Sequence, residues 1–231
     1  MNTNELLTRR AFLASSALLA ATPLSAAPKY DLVIKGGRVL DASQRLDRVL
    51  DVAVRSGKIA ALQPNIAASD AVEVLDARGK LVTPGLVDIH AHPRPGEVSA
   101  ERILSAGVTT VVDGGSRGAD GIQDMVDVAN KAPNRLRMLI NVSRLGNQAD
   151  GELLRFETAD AEAARAAVRR HRNVIVGVKA RLSRPLAGDH DLDAIRRAHE
   201  ITRGFGIPLM IHIGDTRSPL PDILALLQPG D

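Results

Sequence analysis

From residue 84 onward, short apolar runs alternate with stretches in which apolar residues recur at helical spacing. The apolar runs predict buried strands at Leu86–His92, Thr109–Asp113, Leu136–Val142, Val174–Lys179 and Leu209–Ile213. The other stretches predict helices at Ala100–Ala106, Ile122–Ala132, Ala159–Arg170, Leu192–Arg203 and Leu220–Leu227. Near-continuous apolar strands that alternate with amphipathic helices indicate a parallel sheet covered by helices.

This alternation predicts an α/β fold. About five strand–helix units, with polar residues at the strand ends, fit the first part of a (β/α)₈ TIM barrel over residues 84–231. A doubly wound open sheet is the structural alternative, but no Gly-x-Gly-x-x-Gly pattern follows the first strand. Five units cannot close an eight-stranded barrel. Because the chain stops at Asp231, where a sixth strand would begin, we expect a truncated fragment.

Residues 28–83 follow a different pattern, in which short strands are joined by glycine turns. Val52 and Val54 alternate with polar neighbours, Ser56-Gly57 supplies a hairpin turn, and the alternation resumes after it. This pattern predicts a small all-β unit, which we expect to be a small β-sandwich portion in front of the barrel.

The first 27 residues have the pattern of an export signal. The segment Thr8-Arg9-Arg10-Ala11-Phe12-Leu13 contains a twin arginine, an apolar stretch extends to Leu24, and Ser25-Ala26-Ala27 supplies small residues. The apolar stretch is shorter than the ~20 residues that a membrane span needs. We therefore expect a periplasmic protein, exported by the twin-arginine route, without stable membrane association after signal removal. The alternative is the frayed N-terminal helix of a cytosolic protein.

Composition narrows the function further. The formal net charge is +3, aromatic residues make up 2% of the chain, and basic residues are scattered among acids, so nothing points to nucleic-acid binding. Cysteine is absent, which excludes disulfides, thiolate metal sites and a cysteine nucleophile.

Four residues at strand ends could converge on a metal. His90 and His92 lie two residues apart on a strand, so both imidazoles point the same way. Lys179 ends another apolar strand, where a lysine is costly to bury unless it is paired or chemically changed. His212 ends the last predicted strand. The alternatives are histidines that merely end a strand or pack in the core, and a lysine that reaches out to solvent.

Asp88 shares a strand face with His90. It could accept the second N–H of a ligating histidine, which such histidines usually donate. The alternative is a buried acid that is satisfied by backbone donors.

At these residues the chain resembles the amidohydrolase superfamily of metal-dependent hydrolases. It looks most like the amidohydrolase/deacetylase branch and, more distantly, like the dihydroorotases. The segments that carry the resemblance are Gly36–Asp41, Pro84–His92, Gly107–Asp113, Gly177–Arg181 and Pro208–Thr216.

The resemblance implies a centre of two divalent metal ions, expected to be Zn²⁺. His90 and His92 would hold one ion, His212 the other, and Lys179, carboxylated by carbon dioxide, would bridge them. The family pattern also needs a histidine on the sixth strand and an aspartate on the eighth that shuttles the proton. Neither is present up to Asp231, so the catalytic acid is unknown, and we expect this fragment to be inactive alone.

The resemblance also implies the substrate. In dihydroorotase-like members an arginine at the position of Arg94 grips a carboxylate, and Arg181 could line the same site; solvated or structural loop roles are the alternatives. We expect deacetylation of a small-molecule acylated substrate. Ester hydrolysis, cyclic amide hydrolysis of the dihydroorotase kind, or a non-catalytic binding member of the fold are the alternatives. A homo-oligomer is left open.

Overall fold

The computed structural model describes residues 27–94 and 98–231. The chain divides into two compact units, with the division after Pro84. The proposed export signal lies outside the described residues except for Ala27. Within the described part of the chain, every helix is too short or too polar to span a lipid bilayer.

The first unit is built around one mixed β-sheet. Its strands are β1 (Tyr30–Asp41), β2 (Leu46–Arg55), β3 (Lys58–Gln63), β4 (Ala71–Asp76) and β5 (Leu81–Val82). Two short 3₁₀ helices, Ala42–Gln44 and Ala68–Asp70, lie between strands. The strand order is β3-β2-β1-β4. The short strand β5 also pairs with β1, at Arg38 and Val39, further along β1 than the residues that pair with β4. β1, β2 and β3 are antiparallel neighbours, whereas β4 and β5 run parallel to β1.

The hairpin between β2 and β3 turns at Ser56 and Gly57. Both residues have positive φ, 51° and 70°, which is the backbone of a turn that matches the twist of antiparallel strands. All five strands belong to one sheet among the described residues, so the second layer of the expected β-sandwich is not confirmed.

A buried carboxylate ties this sheet together. Asp51 accepts hydrogen bonds from Lys35 Nζ at 2.6 Å, from the Gly36 N–H at 2.8 Å and from the Ile66 N–H at 2.9 Å. Burial works to raise the pKa of Asp51, but the three hydrogen bonds outweigh it and hold this pKa below its usual value.

Asp51→Ala is therefore expected to lower the free energy of unfolding by on the order of 3 kcal/mol at neutral pH, because it leaves buried donors unpaired. Since the folded pKa of Asp51 is depressed, its contribution is present above about pH 3.8 and is lost as the pH falls through the folded value. Urea unfolding between pH 7 and pH 3 measures both effects. The exposed Arg38–Asp47 pair gives the control Asp47→Ala, and an equal loss in both variants would contradict the prediction.

The second unit contains a five-stranded parallel sheet and six helices among the described residues. Its strands are β6 (Leu86–Ala91), β7 (Val108–Asp113), β8 (Arg135–Asn141), β9 (Ile175–Arg181) and β10 (Leu209–His212). Its helices are α1 (Ala100–Ser105), α2 (Ile122–Lys131), α3 (Ala161–Arg170), α4 (Arg184–Ala187), α5 (Asp191–Thr202) and α6 (Leu220–Leu226). A 3₁₀ helix spans Phe156–Thr158.

The strands lie side by side in chain order, β10-β9-β8-β7-β6. A doubly wound sheet reverses its strand order at a switch point, and this sheet has no such reversal. The sequential order agrees with an incomplete barrel of (β/α) units. All five predicted strands and all five predicted helices are present, whereas the single-turn α4 was not predicted from the sequence.

The core of this unit lies between the sheet and the helices. Met138 and Ile140 of β8 are fully buried, as are Ile195 and Ala198 of α5. Because all five strands are parallel, their carboxyl ends lie along one edge of the sheet. This edge is where α/β barrels carry their active sites.

Candidate metal centre

Three of the four predicted ligands lie together at this edge. Lys179 Nζ is 3.2 Å from His90 Nε2, and the ring centroids of His90 and His92 are 5.5 Å apart in an edge-to-face arrangement. Lys179 is only 1% exposed, whereas the His92 side chain is partly exposed. His90 and His92 come from the end of β6 and Lys179 from β9, so the structure brings these three predicted residues together at the carboxyl edge of the sheet.

Glycine in the loop after β7 allows this packing. A Cβ atom built on Gly114 would lie 2.4 Å from His90 Cδ2 and 3.2 Å from His92 Cε1. A Cβ on Gly115 would lie 2.4 Å from Lys179 Cβ, and Gly115 also has a φ of +85° that favours glycine. The loop backbone thus contacts all three candidate ligands where no side chain fits.

Lys179 has an altered proton affinity. Burial, followed by the nearby Arg181 cation, lowers the pKa of Lys179 to about 8, although Glu152 and Asp113 oppose the shift. No carboxylate among the described residues lies within ion-pair distance of its ammonium group. A substantial neutral-amine fraction is therefore available slightly above neutral pH.

The histidines favour their neutral forms. Burial is the main cause that lowers the pKa values of His90, His92 and His212, and the Lys179 cation lowers all three further. A neutral imidazole is the form that binds a metal ion. The lowered pKa values therefore leave neutral imidazoles available as ligands.

His212 lies at the end of β10, beside Arg181 of β9 in the strand register. It is exposed, and its pKa responds to the charges of Lys179 and His90. Within residues 27–94 and 98–231, no group of three or more His, Asp or Glu side chains is close enough to hold a metal ion by itself. The candidate set therefore depends on Lys179 as a ligand.

Asp88 contacts the backbone rather than an imidazole. Its Oδ1 accepts a hydrogen bond of 2.9 Å from the His90 N–H. This contact corresponds to the alternative in which backbone donors satisfy the acid.

A different acid is connected to the His92 ring. Ser116 Oγ lies 2.8 Å from His92 Nδ1 and 2.6 Å from Asp113 Oδ2. Burial raises the pKa of Asp113, and hydrogen bonds from Ser116 and Gly115 counteract part of this effect. Sequence reasoning missed both Asp113 and Ser116. The available signal was a polar residue at the end of a barrel strand, which is a typical functional position.

Arg181 takes part in an internal network behind Lys179. Its Nε donates to Glu152 Oε2 at 2.9 Å, its Nη2 also donates to that oxygen, and Nη2 donates to the Gln148 carbonyl at 2.5 Å. Glu152 is fully buried, and Asn141 Nδ2 bonds both its Oε1 at 3.0 Å and the Gly115 carbonyl at 3.2 Å. Through the bond from Asn141 to the Gly115 carbonyl, the network holds the backbone of the glycine loop in its contact with Lys179. A substrate contact by Arg181 remains a prediction.

Arg94 lies beside the site. Its N–H donates to the Val98 carbonyl at 3.0 Å, and it lines a cleft of about 410 Å³ together with Ser116, Arg117 and Asn147. Because Ser116 also contacts His92, the cleft adjoins the candidate metal centre. The role of Arg94 in binding a substrate carboxylate remains a prediction.

The second unit has a parallel sheet with sequential strands, and imidazoles and a buried lysine lie at the carboxyl edge of this sheet. These features define an α/β barrel-type protein with a candidate metal centre. No family model matches the chain. The chain is 32% identical over 212 residues to a deacetylase of Enterococcus faecalis, a match that covers 87% of this chain and 55% of the relative. It is 32% identical over 193 residues to a dihydroorotase of Geobacter sulfurreducens, covering 80% and 43%.

The structural comparison agrees. The fold matches the crystal structure of an adenine deaminase with a TM-score of 0.76 and 33% identity, over 87% of this chain and 55% of that chain. The chain belongs to the amidohydrolase superfamily, which confirms the resemblance seen in the sequence. It spans about half the length of the curated relatives it matches.

Proposed function

We propose that this chain carries part of the metal centre of a hydrolase that cleaves a non-peptide C–N bond. Deacetylation of a small N-acyl compound is the reaction that we favour, because a deacetylase is among its relatives. The observation that carries the proposal is the fully buried Lys179 in contact with His90 at a strand end. A purely structural role gives no reason to bury a lysine against an imidazole when no carboxylate of the described residues lies at ion-pair distance.

The donor set fits a divalent metal centre. His90, His92 and His212 would hold zinc ions as neutral imidazoles, and Lys179 would join them after carboxylation. When bound, the metal ions would supply a hydroxide nucleophile near neutral pH and polarise the scissile carbonyl.

The lowered pKa of Lys179 supports this modification. Only the neutral amine reacts with carbon dioxide: its lone pair forms a new N–C bond while one C–O π bond breaks, a nitrogen proton is released to water, and the product is an anionic carbamate. Carboxylation would replace the buried lysine cation with an anionic oxygen ligand, which the two metal ions would stabilise. Gly115 lets the loop backbone pack against the Lys179 stem, because a Cβ there would lie 2.4 Å from Lys179 Cβ.

Related reactions remain alternatives within the same proposal. The dihydroorotase and adenine deaminase relatives favour hydrolysis of a cyclic amide or of an aromatic amine as runners-up. Ester hydrolysis would use the same centre. A non-catalytic binding protein would have no need for neutral histidines beside a buried lysine. We also propose, from the N-terminal sequence alone, that the protein is periplasmic.

Zinc analysis tests the proposed centre. The purified chain, equilibrated with zinc and bicarbonate, is expected to bind zinc in proportion to protein, and His90→Ala/His92→Ala is expected to remove most of it. Acetate release from N-acetyl amino acids, compared with turnover of acetate esters, dihydroorotate and adenine, then separates the reactions in a protein of the relatives' full length, since we expect this fragment to be inactive alone. Equal zinc content in the chain and the double variant would contradict the proposal.

A further inference from the structure

We propose that Asp113 and Ser116 form a positioning pair that holds His92 in the tautomer with its proton on Nδ1. This tautomer leaves the Nε2 lone pair available for a metal ion. The metal-binding consequence rests on the proposed function, whereas the tautomer is a property of the metal-free chain. Asp113 and Ser116 are positioning residues here, because they act through His92.

The geometry forms a chain of three groups. Asp113 ends β7 and is 0% exposed. Its Oδ2 is 2.6 Å from Ser116 Oγ, and Ser116 Oγ is 2.8 Å from His92 Nδ1. The direct distance from Asp113 Oδ2 to His92 Nδ1 is 3.9 Å, which is too long for a hydrogen bond. The serine hydroxyl therefore bridges the acid and the imidazole.

The number of available protons sets the direction of both bonds. Asp113 Oδ1 accepts from the Gly115 N–H at 3.0 Å and from the Ser116 N–H at 2.7 Å. As a carboxylate, Asp113 can only accept, so its Oδ2 takes the single hydroxyl proton of Ser116. Ser116 Oγ then has only lone pairs to offer to His92. The Nδ1 atom of His92 must be the donor, and in the neutral imidazole Nε2 is then unprotonated.

The opposite arrangement is unfavourable. If Ser116 donated to His92 Nδ1, Asp113 Oδ2 would lose its only hydrogen bond among the described residues while it is buried. Both rings also pack against the same glycine: a Cβ built on Gly114 would lie 2.9 Å from His90 Nε2 and 3.2 Å from His92 Cε1. An Nδ1-protonated His92 thus carries its free nitrogen on a ring whose centroid is 5.5 Å from that of His90.

Nitrogen-15 NMR of the metal-free chain, labelled at histidine, measures the tautomer directly. His92 in the parent protein and in Ser116→Thr, which keeps the hydroxyl, is expected to carry its proton on Nδ1. Ser116→Ala is expected to shift His92 towards a mixture of tautomers. Asp113→Asn is expected to move the proton to Nε2, because the amide can donate to Ser116 Oγ and release the serine proton for Nδ1.

Zinc affinity supplies the second readout. Competition with a chelator is expected to show a loss of about 10-fold to 100-fold for Ser116→Ala and Asp113→Asn, and little change for Ser116→Thr. Ser143→Ala, at a buried serine just beyond β8, is the matched control and should alter neither readout. Thermal unfolding of each variant checks that the fold is retained.

The outcomes separate this proposal from the proposed function. An unchanged His92 tautomer in Ser116→Ala overturns the positioning pair, even if the parent chain binds zinc. If the variants show the expected tautomer shifts but the parent chain binds no zinc, the positioning pair is upheld and the metal centre is contradicted. If Ser116→Ala does not fold, Asp113→Asn and Ser116→Thr decide the question: the same tautomer in both overturns the proposal.

Discussion

Lys179→Met is expected to abolish most metal binding while it leaves the fold at least as stable as the parent. The lysine ammonium is buried, and the difference between its usual pKa of 10.5 and a value of about 8 corresponds to a cost of about 3 kcal/mol at neutral pH. Methionine fills a similar volume without a charge. Its thioether, however, cannot be carboxylated and cannot supply two oxygen ligands.

The functional loss should be large. Zinc bound per chain is expected to fall clearly below the parent value. In a protein of the relatives' full length, hydrolysis is expected to fall by about 10³-fold or more, since metal ions contribute several kcal/mol of charge stabilisation in the transition state. Metal analysis and acetate release measure these effects. The exposed Lys131 at the end of α2 gives the control Lys131→Met, which should change neither.

The pH dependence of stability gives an independent check on the metal-free chain. Between about pH 8 and pH 10.5, the unfolded chain holds more protons on Lys179 than the folded chain does. The stability of the parent is therefore expected to rise with pH across this window, and Lys179→Met should lack that rise. A variant that is less stable than the parent, or one that retains full zinc binding, would contradict the prediction.

The sequence was sufficient for the parts of the site that depend on strand periodicity. His90 and His92 were placed together because residues two apart share a strand face, and Lys179 because parallel strands end at one edge. Strand periodicity could not establish the expected β-sandwich. It requires pairing between segments far apart in the chain, and local alternation does not specify which sheets pack together.

The partners of the site were harder to predict for a physical reason. Asp113 is the last residue of β7, and Ser116 lies three residues later in the loop, where no periodicity indicates side-chain direction. Arg181 pairs with Glu152, which lies 29 residues earlier in an irregular segment. Asp88 lies on the predicted strand, but its short side chain bonds the nearby His90 N–H instead.

Gly114→Ala is the most specific test of the centre, because it adds one methyl group without removing a ligand. The new Cβ would lie 2.4 Å from His90 Cδ2 and 2.9 Å from His90 Nε2. The backbone at this position is held by a hydrogen bond of 2.7 Å from the Gly114 N–H to the Ala91 carbonyl. The exposed His90 ring, rather than the backbone, is therefore expected to move.

Displacing this ring should reduce zinc affinity by more than about 100-fold, since it shifts a ligand itself rather than one of the ligand's supports. The unfolding temperature should change little, because the ring moves towards solvent and not into the core. Chelator competition and thermal unfolding measure the two quantities. Gly121→Ala is the matched control: its Cβ would lie 3.0 Å from Arg117 Cδ, on a flexible side chain away from the ligands. Parent-like zinc affinity in Gly114→Ala would show that His90 is not a ligand in this arrangement.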